Sequence, residues 1–184
     1  MTKAETCAEA LAKGGIAVLP TDTVYGIFAS AFSDRGIEKI FKIKKRDKKK
    51  PLQVFFPSAA LVSVVAELTP KKKKLLDKYL PGPYTVILKL KKGFKKAFPF
   101  LPGETIGVRI IENEFIRQAI LKTGAPLAAT SANISGAPSP VKFKDIAPVI
   151  LKKAGFVSKN DRLVSGRPSA IVDMTGAKVK VIKR

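Results

Sequence analysis

The stretch PTDTVYG, residues 20 to 26, follows directly on the apolar run IAVL at residues 16 to 19. A short buried strand here hands the chain to two threonines, an aspartate, a tyrosine and a glycine, and VYGIFA (24 to 29) then reads as strand again. Hydroxyls, a carboxylate and exposed backbone amides at a strand end suit a small polar ligand. The same residues also make an ordinary turn, so the rest of the chain decides between the two.

Working outward, residues 4 to 13 place Ala4, Cys7, Ala8 and Leu11 on one face of a helix that Gly14 and Gly15 stop. DRGIEKIFKI (34 to 43) is a second helix, with Ile37, Ile40 and Phe41 inward and Asp34 as N-cap. SAALVSVVAEL (58 to 68) and TPKKKKLLDKYL (69 to 80) are helices opened by Ser and Thr, the second with proline in its first turn. NEFIRQAILKTG (113 to 124) is capped by Asn113 and ends at Gly124, while FKDIAPVILKKAG (143 to 155) is a weaker helix interrupted by Pro148. PLQVFF (51 to 56), YTVILKL (84 to 90), TIGVRI (105 to 110), PLAAT (126 to 130), PSAIVDM (168 to 174) and AKVKVIK (177 to 183) read as strands. Strands and helices alternate irregularly. The expectation is one α/β domain over residues 1 to 184, with a twisted mixed sheet and not a doubly wound parallel one.

Composition removes whole classes of chemistry. With no histidine there is no Ser-His-Asp triad, no HExxH zinc site and no histidine base; a single cysteine rules out a structural zinc site. No GxxxxGK[ST] occurs, so a nucleotide would not sit in a P-loop. What is left is Lys, Arg, Ser, Thr, Asn and backbone amides, which suit charge stabilisation on phosphates. The mostly apolar stretch VFFPSAALVSVVA (54 to 66) holds a proline and is too short to cross a bilayer, and the first fifteen residues lack an apolar signal core. These point to a cytoplasmic protein without a membrane partner, Cys7 packing as a small hydrophobe. Thirty-five Lys and Arg against 14 Asp and Glu give +21, clustered at 42 to 50, 71 to 74 and 89 to 96. Clustered charge favours an anionic partner such as nucleic acid and says nothing about sequence specificity.

Polar loops recur beside the strands: PTDTVYG, KKRDKKKP, PGPYT, TIGVR, TSANISGAPS and GRPSAIVD. Together they read as walls of one polar pocket. In this order, from about Gly15 to Lys183, they resemble the YrdC-like proteins, the threonylcarbamoyl-adenylate synthases. The resemblance implies a YrdC-like fold whose twisted sheet lines a basic concave cavity. It implies a nucleotidyltransferase making threonylcarbamoyl-AMP and pyrophosphate from L-threonine, bicarbonate and ATP, with magnesium on the phosphates. A separate transferase complex would carry the product to tRNA.

Residue by residue, the resemblance makes Lys44 and Arg46 the catalytic lysine and arginine of a K-x-R element that also binds ATP. Lys50, Thr105, Ser131, Asn133, Ser139 and Lys183 fall at further ATP positions. Arg109 is to hold the threonine carboxylate, with Thr23 donating a hydroxyl, Ser169 alongside and Asp22 shaping the turn. Phe55 stands where some relatives carry histidine, Ala129 where some are polar, and no proline follows Arg109. Lys71, Lys72, Lys73 and Lys74 have no place in the reaction and are read as RNA contacts. Two other readings use the same residues: a non-catalytic double-stranded RNA or tRNA binder of this fold, and a carbamoyl-transfer module like that of hydrogenase-maturation proteins. The retained Lys44, Arg46, Ser131 and Asn133 favour the enzyme, because a pure RNA binder has no need of the hydroxyls.

Overall fold

Residues 1 to 182 are described by a computed structural model. Chain order runs α1 (Lys3–Ala12), β1 (Ala17–Pro20), β2 (Tyr25–Ser30), α2 (Asp34–Lys44), β3 (Gln53–Phe55), α3 (Ala59–Val65), α4 (Pro70–Tyr79) and β4 (Tyr84–Lys89). It continues with β5 (Thr105–Arg109), α5 (Glu114–Thr123), β6 (Leu127–Ser131), α6 (Pro148–Lys153), β7 (Phe156–Val157), β8 (Ala170–Asp173) and β9 (Lys180–Ile182). Among the described residues the strands form one sheet in the order β7-β1-β2-β6-β3-β5-β4-β8-β9. The β1–β7, β3–β5 and β4–β8 pairs are parallel and the others antiparallel, so the sheet is mixed, as the irregular alternation of elements implied.

Strand side chains alternate between faces, and here the two faces differ in chemistry. On one face Val18, Ile27, Val54, Val108 and Ala128 join a core closed by α2, α3, α4 and α6. On the other, Leu19, Phe28, Phe55 and Leu127 pack under Cys7 and Leu11 of α1 and Ile116 and Ile120 of α5. Phe28 and Phe55 meet edge to face at 5.0 Å, worth about 1 kcal/mol beyond their burial. Cys7 is fully buried in this second core, the small hydrophobe its sequence context implied. Towards β5, β4 and β8 this second face turns to Gly107, Thr105, Arg109, Thr85 and Ser169, and a cavity opens.

Helix ends follow capping chemistry with two corrections. Thr2 and Glu5 make a reciprocal capping box on α1. The α2 cap is Ser33, whose hydroxyl accepts from Gly36 N at 3.1 Å, and not Asp34, which is already helical. Ser33 is the residue with extended backbone (φ −110°, ψ 98°), the geometry a cap requires. Pro148 opens α6 and does not interrupt it; the residues before it form a separate 3-10 turn, Phe143–Asp145. Proline lacks an amide proton, which is no loss at a first helical position. Strand β7 is two residues long, too short to show a period, and went unread. Lys183 lies outside the described residues.

Candidate active site

The cavity holds about 310 Å³ and is walled by strand residues of the second face together with the loops 21–24 and 46–52 and with Ser139, Pro168 and Ser169. Thr23, Arg46, Thr105, Arg109, Ser131, Ser139 and Ser169, with Phe55 and Ala129, all line it. Register explains the convergence. Gly26 pairs Ser131, Gln53 pairs Gly107, and Phe55 pairs Arg109, so every second residue of neighbouring strands points into the same space. Gly26 is needed there: a Cβ would stand 2.7 Å from the Phe28 ring.

Arg109 is almost completely buried. Its Nη2 donates to Asp22 Oδ1 at 2.5 Å and its Nη1 to Thr23 Oγ1 at 3.1 Å, while the guanidinium lies 5.1 Å over the Phe55 ring. Phe55 thus supplies an aromatic face to the cation. Burial pushes the Asp22 carboxyl above its ordinary value and the Arg109 charge opposes the shift. Arg109 Nε and Asp22 Oδ2 are buried without a protein partner, so this pair retains hydrogen-bonding capacity.

Thr21 Oγ1 donates to Val24 O at 2.7 Å and accepts from the Thr23 and Val24 amides at 3.1 and 3.2 Å, which fixes the loop. The Thr21 and Thr23 hydroxyls stand 2.9 Å apart, and either can donate to the other. The Thr23 oxygen also receives Arg109 Nη1, so Thr23 helps to orient the guanidinium. Thr85 and Ser169 form a second hydroxyl pair at 2.8 Å, both buried.

Lys44 ends α2 and is 1% exposed. Its Nζ donates to Ser131 O at 2.5 Å, Asn133 O at 2.5 Å and Asn133 Oδ1 at 3.1 Å. Ser131 Oγ also donates to Asn133 Oδ1, and Asn133 Nδ2 donates to Ile134 O and Ala137 O. One ammonium thus fixes the whole 131–137 turn. Burial pushes the Lys44 amine down to about 7 and the nearby Arg46 charge adds to it. The three oxygens pull the other way, because only the ammonium carries three N–H groups.

Lys45 follows in the left-handed region (φ 50°), and Arg46 then lines the cavity, held by the carbonyls of Lys50 and Pro51. The K-x-R element is therefore split: the lysine points into the protein and the arginine to the cavity. The Lys50 side chain is exposed and does not line the cavity. Asn133 does not line it either. Lys71 to Lys74 lie on α4 beside a different cleft, shared by Lys71, Lys72, Lys89 and Lys178. Thr21, Gln53 and Thr85 are cavity residues that sequence reasoning missed. Thr21 and Thr85 were legible as hydroxyls within PTDTVYG and PGPYT; Gln53 gave no signal. Among the described residues no group of three or more His, Cys, Asp or Glu is placed to hold a metal.

The profile of the Sua5/YciO/YrdC family, described under telomere recombination, matches residues 9–184. The chain belongs to this family. Among curated relatives, a Methanocaldococcus jannaschii protein provisionally named threonylcarbamoyl-AMP synthase is 35% identical over 92% of this chain and 79% of its own length. The threonylcarbamoyl-AMP synthase of Pyrococcus abyssi is 30% identical over 89% of this chain, which spans 48% of that protein. The solved structure of P. abyssi Sua5 complexed with L-threonine superposes with a TM-score of 0.86 at 27% identity, covering 97% of this chain and 52% of that one. The E. coli YciO structure shares the fold, with a TM-score of 0.86 at 21% identity over 98% of this chain and 88% of its own. The YrdC-like resemblance is thereby borne out. Among the described residues no helix is long and apolar enough to cross a membrane.

Proposed function

We propose that the chain is an L-threonylcarbamoyladenylate synthase, a nucleotidyltransferase acting on L-threonine, bicarbonate and ATP. The observation that carries this reading is one cavity lined by two arginines and a set of hydroxyls, with no carboxylate in its lining among the described residues. Arg109, pre-oriented by Asp22 and Thr23, is suited to a planar carboxylate. Arg46, with Thr105, Ser131 and Ser139, is suited to phosphate oxygens. Lys44 supports the phosphate side through the 131–137 turn that it fixes. Lys50 and Lys183 are proposed only as outer contacts to the nucleotide.

The chemistry requires little proton shuttling. The threonine nitrogen bonds to the bicarbonate carbon with loss of water, giving a carbamate. A carbamate oxygen then attacks the α-phosphorus, the bond to the bridging α–β oxygen breaks, and pyrophosphate leaves with the electron pair. Negative charge builds on phosphate oxygens, where cations and fixed donors lower the barrier. Magnesium enters on the phosphates of ATP as part of the substrate. The product is the activated donor that a separate transferase complex would place on tRNA in the cytoplasm. Chromatography of reactions with labelled bicarbonate tests the reading: the label should appear in an AMP-linked threonine derivative. Label confined to free carbonate would overturn it.

RNA contact is proposed for the other cleft, where Lys71, Lys72, Lys89 and Lys178 meet. The lysines of α4 oppose the helix dipole in its first turn and so serve folding poorly. Replacing Lys71, Lys72, Lys73 and Lys74 by glutamine should leave adenylate synthesis near normal, lower RNA affinity and reduce the salt slope by about 0.7 to 0.9 per lost phosphate contact. Binding measured across a salt series checks this. Parallel lines for wild type and variant would make the run a solvated face.

A further inference from the structure

Between β6 and β8 the chain runs through residues 132–169, which rejoin the sheet only at the two-residue β7 beside β1, and the excursion brings Ser139, Pro168 and Ser169 to the cavity. Its own helical content is slight: two 3-10 turns and the short α6. A segment this irregular needs specific ties to place two hydroxyls at a binding site. Besides the pairing of β7 with β1, a group of ties meets at Tyr25, the tyrosine of PTDTVYG, whose side chain is fully buried.

Tyr25 N donates to Pro140 O at 3.0 Å, one residue beyond Ser139. The Tyr25 hydroxyl donates to Asp161 Oδ1 at 2.6 Å and accepts from the Asn160 amide at 3.0 Å. The same Asp161 oxygen accepts from the Phe143 amide at 2.8 Å, and the Phe143 ring stands edge-on to Tyr25. A further bond, Gly166 N to Thr23 O at 2.8 Å, ties the far end of the excursion to the loop that orients Arg109. One carboxylate oxygen therefore joins the sheet, the outgoing arm and the returning arm. The Tyr25 and Phe143 donors hold the Asp161 carboxyl below its ordinary value, assisted by the charges of Lys159 and Lys142. Burial and the Asp161 hydrogen bond raise the Tyr25 hydroxyl to about 12. Donor and acceptor roles are thus fixed across the neutral range. Asp161 does not line the cavity.

We infer that Asp161 is a positioning residue: through Tyr25 it clasps the 132–169 excursion to the sheet, and so sets Ser139 and Ser169 for nucleotide and amino-acid binding without touching either. The inference rests on the synthase reading and adds to it a residue that the cavity lining does not reveal. Charge-assisted hydrogen bonds of this kind fix geometry more strongly than neutral ones.

Three variants test it: Asp161→Ala, Asp161→Asn and Tyr25→Phe. Each is measured by calorimetric titration with ATP, steady-state kinetics and amide hydrogen exchange. Asp161→Ala should raise the Kd and KM for ATP about tenfold, with kcat at saturation within about twofold. Exchange at the Phe143 and Asn160 amides should accelerate. Asp161→Asn keeps an oxygen that accepts from both Tyr25 and Phe143, so it should restore Kd to within about threefold of wild type. Tyr25→Phe should free the Asn160 amide and weaken ATP binding, and adding Asp161→Ala to it should cost less than the two effects combined. Lower melting temperatures with unchanged ATP affinity in all three variants would reduce the clasp to a stability element and overturn the inference. A wild type that binds no ATP would remove the synthase reading, and the inference with it. A wild type that binds normally, with Asp161→Ala and Tyr25→Phe indistinguishable from it, would remove the clasp alone.

Discussion

Arg109→Ala is expected to weaken L-threonine binding by about 2 to 4 kcal/mol, the cost of leaving a carboxylate without its charged partner. ATP affinity should change far less, because Arg46 and not Arg109 is proposed to face the phosphates. The variant also strands the half-buried Asp22, whose carboxylate is bonded to Arg109 at 2.5 Å; leaving such an acceptor unmatched costs about 1 to 3 kcal/mol of stability. The double variant Asp22→Asn, Arg109→Met removes the pair together and gives a folded protein for the titration. Calorimetry with each ligand separates the roles. Equal weakening of threonine and ATP would reassign Arg109 to the phosphates or to the fold.

The second large effect belongs to Lys44. In Lys44→Ala two main-chain carbonyls and Asn133 Oδ1 lose their common donor. Each unmatched buried acceptor costs about 1 to 3 kcal/mol, partly offset because the ammonium no longer has to be buried. A net loss of about 3 kcal/mol in unfolding free energy is expected, readable in a urea titration. Pyrophosphate formation should fall about a hundredfold, because the turn holding Ser131 loses its register. Full stability together with a normal rate would show that the ammonium organises nothing.

Lys44 also predicts a pH dependence with a definite sign. Its value in the fold is lowered from 10.5 to about 7, so between those limits the unfolded chain binds more protons and stability rises with pH. A triphosphate bound beside Arg46 is expected to favour the ammonium and raise its value. ATP affinity should therefore fall as pH increases above about 7, by at most about tenfold per unit for one linked proton. Lys44→Arg, charged throughout, should flatten both profiles. Calorimetry in buffers of different ionisation enthalpy reads the proton uptake directly.

Much of this site was legible in the sequence because strand alternation is a local signal. TIGVR sets Thr105, Gly107 and Arg109 on one face and Ile106 and Val108 on the other, and the structure keeps that division. Strand register was not legible, and register is what brings Phe55 beneath Arg109. The K-x-R element looked like two cations for one ligand. Helix α2 ends between them, and the left-handed Lys45 sends the first into the protein interior. The roles of Asp22 and Asp161 depend on partners 87 and 136 residues away, Arg109 and Tyr25, which no periodicity reports.

In the proposed reaction the carbamate of threonine is the nucleophile at the α-phosphorus. Pyrophosphate release from ATP, followed with L-threonine or bicarbonate omitted in turn, tests it most directly. Release is expected only when both are present, with either omission returning the rate to background. Equal turnover without L-threonine would contradict it.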